Sequence, residues 1–339
     1  MFRVPSSSWR LAAFTATVLS ALAFAPSGVW AQTPAATLAR PSPYTVVDAS
    51  FACQQVRCDA ELWLPHGVAK PPVIIMAHGF GGLKDWGLQP FAERFVKAGF
   101  AVVRFDYRGF GKSGGQPRQV VDGKAHIKDW SSAIDAVRQR PDVDGQRLGI
   151  WGTSYSGGQV LAVAAERADA VKAVSAQVPF VSGLQSSLTF PLKYQPVAAW
   201  YALRDLMRSD DEEPLYVPIV APGQFAALIC PECDQGYRKL LPPGQDNAQQ
   251  NRVAARVFMS LPWFRPGAQA NRIQAPTLVI AAEKDGLIPV SGVRDVVANL
   301  KHGEYLELKG ADHFTPYTGP VFEQVVARQT AFFKAKLAR

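Results

Sequence analysis

Residues Pro72–Ala77 read Pro-Val-Ile-Ile-Met-Ala, six positions without one polar side chain. A strand with a wet face alternates polar and apolar residues. A run this short that is apolar throughout fits a strand covered on both faces. Further strands are expected at Tyr44–Phe51, Asp59–Leu64, Phe100–Phe105, Arg147–Trp151, Val171–Ala176, Thr277–Ala282 and Tyr305–Leu308. The first two are expected to form a hairpin carrying Cys53 and Cys58. Between the strands lie helical stretches: Pro90–Ala98 closed by Gly99, Gly123–Arg140, Ser156–Arg167, Val290–Leu300 and Pro320–Lys336. In the second of these Ile127, Trp130, Ile134 and Val137 share a face. This rhythm predicts an α/β chain, with a mostly parallel central sheet and helices on both of its faces.

The rhythm stops between residues 180 and 272. That stretch is rich in proline and aromatic residues, and holds Trp200, Tyr201, the acidic run Asp210–Glu213, Cys230 and Cys233. It is too long for a plain loop and is read as a lid inserted into the sheet domain, whose two parts are residues 32–179 and 273–339.

The first 31 residues read as a secretory signal peptide. Arg3 and Arg10 precede an apolar run from Leu11 to Ala25, and Val29-Trp30-Ala31 stands before Gln32. The competing reading is a membrane anchor, but a run of about 15 residues falls short of the roughly 20 that span a bilayer. A periplasmic or secreted protein without a stable membrane anchor is expected. Four cysteines in two close pairs agree with export, and two disulfides are expected, Cys53 with Cys58 and Cys230 with Cys233. A four-thiolate zinc site and a redox Cys-x-x-Cys are the competing readings. The net charge is +8, yet no dense Lys/Arg cluster or nucleic-acid motif accompanies it. A generally basic surface is expected, with no nucleic-acid partner.

The chemistry centres on Gly152-Thr153-Ser154-Tyr155-Ser156-Gly157-Gly158, between an apolar strand and an alanine-rich helix. A nucleophile on such a turn needs small neighbours, so that strand and helix can approach closely. The pattern is Gly-x-Ser-x-Gly with Ser156 in the last glycine's place. In these residues the chain resembles the α/β-hydrolase family, especially its esterase and serine-peptidase-like branches. The resemblance covers about 210 residues on either side of the insertion, and implies a Ser, Asp, His order along the chain. Ser154 needs a base to take its proton. His313, after the last strand, is the candidate. His66 and His126 precede the turn without a fitting context, and His302 reads as a surface residue. Asp285 matches the family's acid in order and loop position, with Glu283 and Asp312 as rivals.

An oxyanion hole needs backbone N–H groups aimed at the developing charge. Tyr155, the residue after the nucleophile, supplies one. The loop His78-Gly79-Phe80-Gly81-Gly82 is similar to the family's His-Gly-rich loop, which implies Phe80 for the other, with His78 bracing the loop. Residues 109–115 contain Gly-Lys-Ser but lack a phosphate loop's four-residue spacer. Asp106–Ser113 instead resembles a structural stretch of the family near the site.

No metal or organic cofactor is expected. The expected activity is hydrolysis of a carboxylic ester through an acyl-enzyme. A peptidase or amidase on short peptides, and a non-catalytic binding protein of the same fold, are the alternatives.

Overall fold

The computed structural model describes residues 42–338, apart from 210–211 and 246–248. The expected signal peptide lies outside these residues, as do Asp210 and Asp211. The chain enters through β1 (Tyr44–Asp48), a small hairpin of β2 (Phe51–Cys53) and β3 (Val56–Cys58), and β4 (Ala60–Pro65). Then come β5 (Pro72–Ala77), α1 (Gln89–Lys97), β6 (Ala101–Phe105), α2 (Gly123–Arg138), β7 (Asp144–Thr153), α3 (Tyr155–Glu166) and β8 (Val171–Gln177). The main sheet has eight strands in the order β1-β4-β6-β5-β7-β8-β11-β12, where β11 is Thr277–Ala282 and β12 Gly303–Leu308. From β6 to β12 every pairing is parallel, while β4 runs antiparallel to both β1 and β6.

The unbroken apolar run of β5 now has its reason. Val73, Ile75 and Ala77 enter one core with Trp130, Ile134, Val160 and Leu161 of α2 and α3. Ile74 and Met76 enter another with Phe91 and Phe95 of α1. That second core also holds Phe322, Phe332 and Phe333 of the last helix, α9 (Gly319–Lys336). Successive side chains point to opposite faces, so a sheet with helices on both sides needs apolar residues at every position.

The expected single strand Tyr44–Phe51 is instead two. The Asp48 carboxylate accepts the Ser50 hydroxyl at 2.6 Å and its N–H at 3.3 Å, a local turn that ends β1. β1 pairs directly with β4, and the hairpin β2–β3 between them carries the Cys53–Cys58 disulfide.

β8 and β11 are hydrogen-bonded neighbours, yet the chain leaves the sheet between them. This excursion contains α4 (Gly183–Ser187), α5 (Gln195–Leu206), β9 (Tyr216–Pro218), α6 (Cys233–Arg238), β10 (Arg252–Ala254) and α7 (Val257–Ser260), with β9 and β10 paired antiparallel. Its parts are joined by the buried Asp205. That carboxylate accepts the N–H groups of Leu215 (2.7 Å) and Arg256 (2.8 Å) and the Arg256 guanidinium. The excursion belongs to the same compact unit as the sheet. After β11, α8 (Val290–Ala298) leads to β12. Among the described residues no helix is long and apolar enough to cross a membrane.

Candidate active site

Ser154 stands alone between the end of β7 and the start of α3, with φ 55° and ψ −119°. A non-glycine residue at positive φ is strained, and the surroundings hold it there. The Ser154 N–H donates to the Gln177 carbonyl at 2.9 Å, and its own carbonyl accepts the N–H groups of Phe180 (2.9 Å) and Gly158 (3.2 Å). The glycines around it are steric necessities. A Cβ on Gly152 would lie 2.1 Å from the Ser156 carbonyl oxygen, and one on Gly157 2.8 Å from that of Gln177. Strand and helix touch backbone to backbone, and the serine side chain is left at the C-terminal end of the sheet.

Asp285 and His313 reach it from the loops that follow β11 and β12. Nε2 of His313 lies 2.9 Å from Ser154 Oγ, and Nδ1 lies 2.7 Å from Asp285 Oδ2. The other Asp285 oxygen accepts the N–H groups of Leu287 (2.9 Å) and Ile288 (2.8 Å). Both rival carboxylates are engaged elsewhere. Glu283 takes the Gly310 N–H and Lys309, and Asp312 takes the N–H groups of Phe314 and Thr315 in its own turn.

The loop after β5 lies directly on Ser154, since a Cβ on Gly79 would sit 3.3 Å from the Ser154 Cβ. Phe80 and Tyr155 line one cavity together with Ser154. Tyr155 opens α3, where the first N–H of a helix has no intrahelical acceptor. His78 is buried, and its Nδ1 lies 2.9 Å from the Gly79 carbonyl oxygen. A carbonyl only accepts, so the network assigns the ring proton to Nδ1. Burial pushes this imidazole down to about 4.

Asp106–Ser113 wraps around the Asp106 carboxylate, which takes the Lys84 N–H at 2.6 Å. A Cβ on Gly111 would lie 2.1 Å from Asp106 Oδ2. The hollow that a phosphate would occupy therefore holds an acid of the chain itself, which rules out the phosphate-loop reading. Burial pushes Asp106 up to about 6.

His66 bonds Thr45 in the β1–β4 region. His126 departs from the sequence reading. His126 has a context: it is buried on α2, stacked 4.2 Å from Tyr107, with Nδ1 3.0 Å from the Tyr155 hydroxyl. Tyr317 bonds Thr153, the residue before Ser154, from the far end of the chain. These supports carry no signature in local sequence.

Both cysteine pairs are disulfides, and no cysteine is free among the described residues. The zinc reading therefore lapses. So does the thioredoxin-like one, since α6 opens at Cys233 rather than Cys230. Cys230 packs against Gly286, whose Cβ would lie 3.1 Å from that of Cys230, so the second disulfide abuts the Asp285 loop.

A cavity of about 460 Å³ opens beside Ser154. Phe180, Leu188, Phe190, Phe258, Leu261 and Ile288 are among its walls, and none of the described residues that line it is charged or a histidine. Much of the wall comes from the excursion. A recess of about 20 Å³ that also reaches Ser154 touches Trp86, Tyr237 and His313.

A family model described as X-Pro dipeptidyl-peptidase (S15 family) matches residues 54–315. The quorum-quenching protein AidA of Acinetobacter baumannii (strain MDR-ZJ06) is 38% identical over 296 residues, covering 86% of this chain and 95% of that protein. The polyketide transferase grgF of a Penicillium species is 27% identical over 285 residues, 81% of this chain and 92% of its own length. The crystal structure of the Penicillium hydrolase GrgF aligns with a TM-score of 0.74 at 24% identity, covering 87% of this chain and 100% of that one. A structure of DcsB in complex with its substrate analogue aligns equally well, TM-score 0.74 at 22% identity, with the same coverage of both chains. With the family model spanning most of the described chain, and a relative matched over nearly its whole length, this chain belongs to the S15 family and through it to the α/β hydrolases.

Proposed function

We propose that the chain is a serine hydrolase that cleaves a carboxylic ester whose acyl part is uncharged and apolar. His313 takes the proton of Ser154, which attacks the ester carbonyl. The N–H groups of Phe80 and Tyr155 receive the oxyanion. The alcohol leaves with the proton from His313, and water activated by the same imidazole releases the acid. Asp285 holds the imidazole tautomer and balances its transient charge. The hydrogen-bonded row Ser154–His313–Asp285 supports this chemistry.

The observation that carries the choice of substrate is that the described residues lining the cavity beside Ser154 carry no charge. The family's description names release of an X-Pro dipeptide, and such a substrate brings an α-ammonium group. Burying an ammonium without a carboxylate partner is strongly unfavourable, and the described residues of this wall offer none. An alkyl or aryl acyl chain meets no such penalty and gains from each methylene buried. We read the excursion, residues 180–272, as a lid over this cavity, because it supplies much of the wall. Two disulfides with no free thiol among the described residues, together with the signal-like first 31 residues, support an exported protein.

A second reading, that the scissile ester belongs to a signalling molecule, is supported by the likeness to a quorum-quenching protein over almost its full length.

The test is a panel run on the mature chain: nitrophenyl esters from acetyl to dodecanoyl, the same esters with a terminal ammonium, and alanyl-proline nitroanilide. Turnover of uncharged esters is expected, with rejection of their ammonium forms and of the anilide. Preferential cleavage of the anilide overturns the ester reading. Failure of a serine-directed phosphonate to label Ser154 overturns the mechanism and favours a binding protein.

A further inference from the structure

Ser156 stands where the bare motif has glycine, and it is fully buried. Its hydroxyl donates to the carbonyl of His78 and lies 2.6 Å from the Tyr107 hydroxyl. A serine hydroxyl has one proton. That proton is committed to a carbonyl, so Tyr107 must be the donor in the second contact. The Tyr107 oxygen in turn accepts the Trp130 indole N–H at 2.8 Å. Proton order therefore runs one way, from Trp130 through Tyr107 and Ser156 to the His78 carbonyl. Aligned hydrogen bonds of this kind strengthen one another.

The loop at the end of this chain is gripped once more. The Gly79 carbonyl receives the Gly82 N–H at 3.2 Å and the His78 ring at 2.9 Å. A trans peptide is planar, with its N–H opposed to its C=O. The two bonds on the Gly79 carbonyl therefore set the direction of the Phe80 N–H, which belongs to the same peptide unit. The other N–H of the pair belongs to Tyr155, the neighbour of Ser156.

We propose that Ser156 is a positioning residue that locks the two oxyanion donors to each other. Its hydroxyl ties the helix start bearing the Tyr155 N–H to the loop bearing the Phe80 N–H. This rests on the serine-hydrolase reading of Ser154 and adds to it the element that keeps the hole in register. Glycine at this position forms the same turn but leaves the loop untied.

The experiment compares the full chain with Ser156→Ala, Ser156→Gly and Tyr107→Phe. It measures kcat and KM on the best ester, inhibition by a trifluoromethyl ketone of the same acyl chain, and thermal unfolding. The ketone forms a hemiketal on Ser154, whose oxyanion fills the hole. Ser156→Ala is expected to lower kcat by between about tenfold and a hundredfold, the range of a modest misplacement. KM should change by less than about twofold, and inhibition should weaken in proportion to kcat. Tyr107→Phe keeps the Ser156–His78 bond and should cost less, between about twofold and fivefold, in both. Folded Ser156→Ala with wild-type kcat overturns the proposal, as does a fall in kcat with the ketone affinity intact. If alanine does not fold, Ser156→Gly decides by the same two criteria. If neither folds, Tyr107→Phe decides, and unchanged ketone affinity overturns the idea. Failure of the underlying reading shows separately, as a parent chain that neither turns over esters nor takes the phosphonate label.

Discussion

The Nδ1 of His313 lies 2.7 Å from Oδ2 of Asp285, while the second oxygen of that carboxylate is occupied by the N–H groups of Leu287 and Ile288. The aspartate is thus fixed by its own loop and offers one oxygen to the ring. Asp285→Asn can keep this shape, but an amide pointing its NH₂ at the ring favours the wrong tautomer. A fall in kcat of about 10⁴ is expected, with KM little changed. Steady-state kinetics on the best ester check this, and a loss below tenfold contradicts the assigned role.

Stability should fall as pH drops below 7. His78 is pushed down by burial to about 4, and His126 well below its ordinary value by burial and then by the charges of His78 and Arg108. Asp106 is pushed up by burial to about 6. Between pH 6.5 and 4 an unfolded chain protonates both imidazoles, which the folded state refuses. The folded state gains one proton, on Asp106, that the unfolded chain takes only near 3.8. The unfolded state therefore binds about one proton more, worth roughly 1.4 kcal/mol per pH unit. Urea midpoints at pH 7 and pH 5 test the sign. Asp106→Asn removes the opposing contribution and should steepen the fall, and a midpoint that rises on acidification refutes the assignment.

The two disulfides should separate stability from activity. Removing Cys53 and Cys58 together, as alanines, should cost about 2 kcal/mol through the loop they close, with kcat unchanged. Removing Cys230 and Cys233 should in addition lower kcat, because Cys230 packs against the glycine that follows Asp285. Denaturant melts paired with kinetics distinguish the two. Equal kcat in both double variants argues against any brace on the acid loop.

The cavity wall should set chain-length preference. Ser187 lines it, and its hydroxyl is spent on the Gly183 carbonyl at 2.7 Å. Ser187→Phe fills part of the space. It should reduce kcat/KM for long acyl esters by about tenfold or more, as far as one lost pocket contact of 1–3 kcal/mol allows, and spare the acetyl ester. A uniform loss across the series points instead to a general disturbance of the fold.

The sheet was legible because burial on both faces leaves a local trace. Pro72–Ala77 and Thr277–Ala282 announce themselves as strands without any partner being known. The turn at Ser154 was legible for a similar reason, since backbone contact between strand and helix demands glycines within a few positions. The break at Ser50 escaped because one short polar side chain, Asp48, decides it. Ser156 and His126 escaped because their partners are remote: Ser156 meets a carbonyl 78 positions earlier, and His126 meets the hydroxyl of Tyr155, 29 positions on. The cavity was the least legible part. Its walls come from several separate segments, and no periodicity in one segment records what stands opposite.

Because β8 and β11 pair with each other whatever the chain does between them, the intervening stretch is topologically a detour. The Ser154–His313–Asp285 row and much of the cavity wall are thereby encoded in different intervals of the gene. An exchange of that one interval would replace much of the cavity wall while Ser154, Asp285 and His313 keep their scaffold. A lineage of such proteins can diversify its chemistry of recognition by recombination, without first unlearning how to cut.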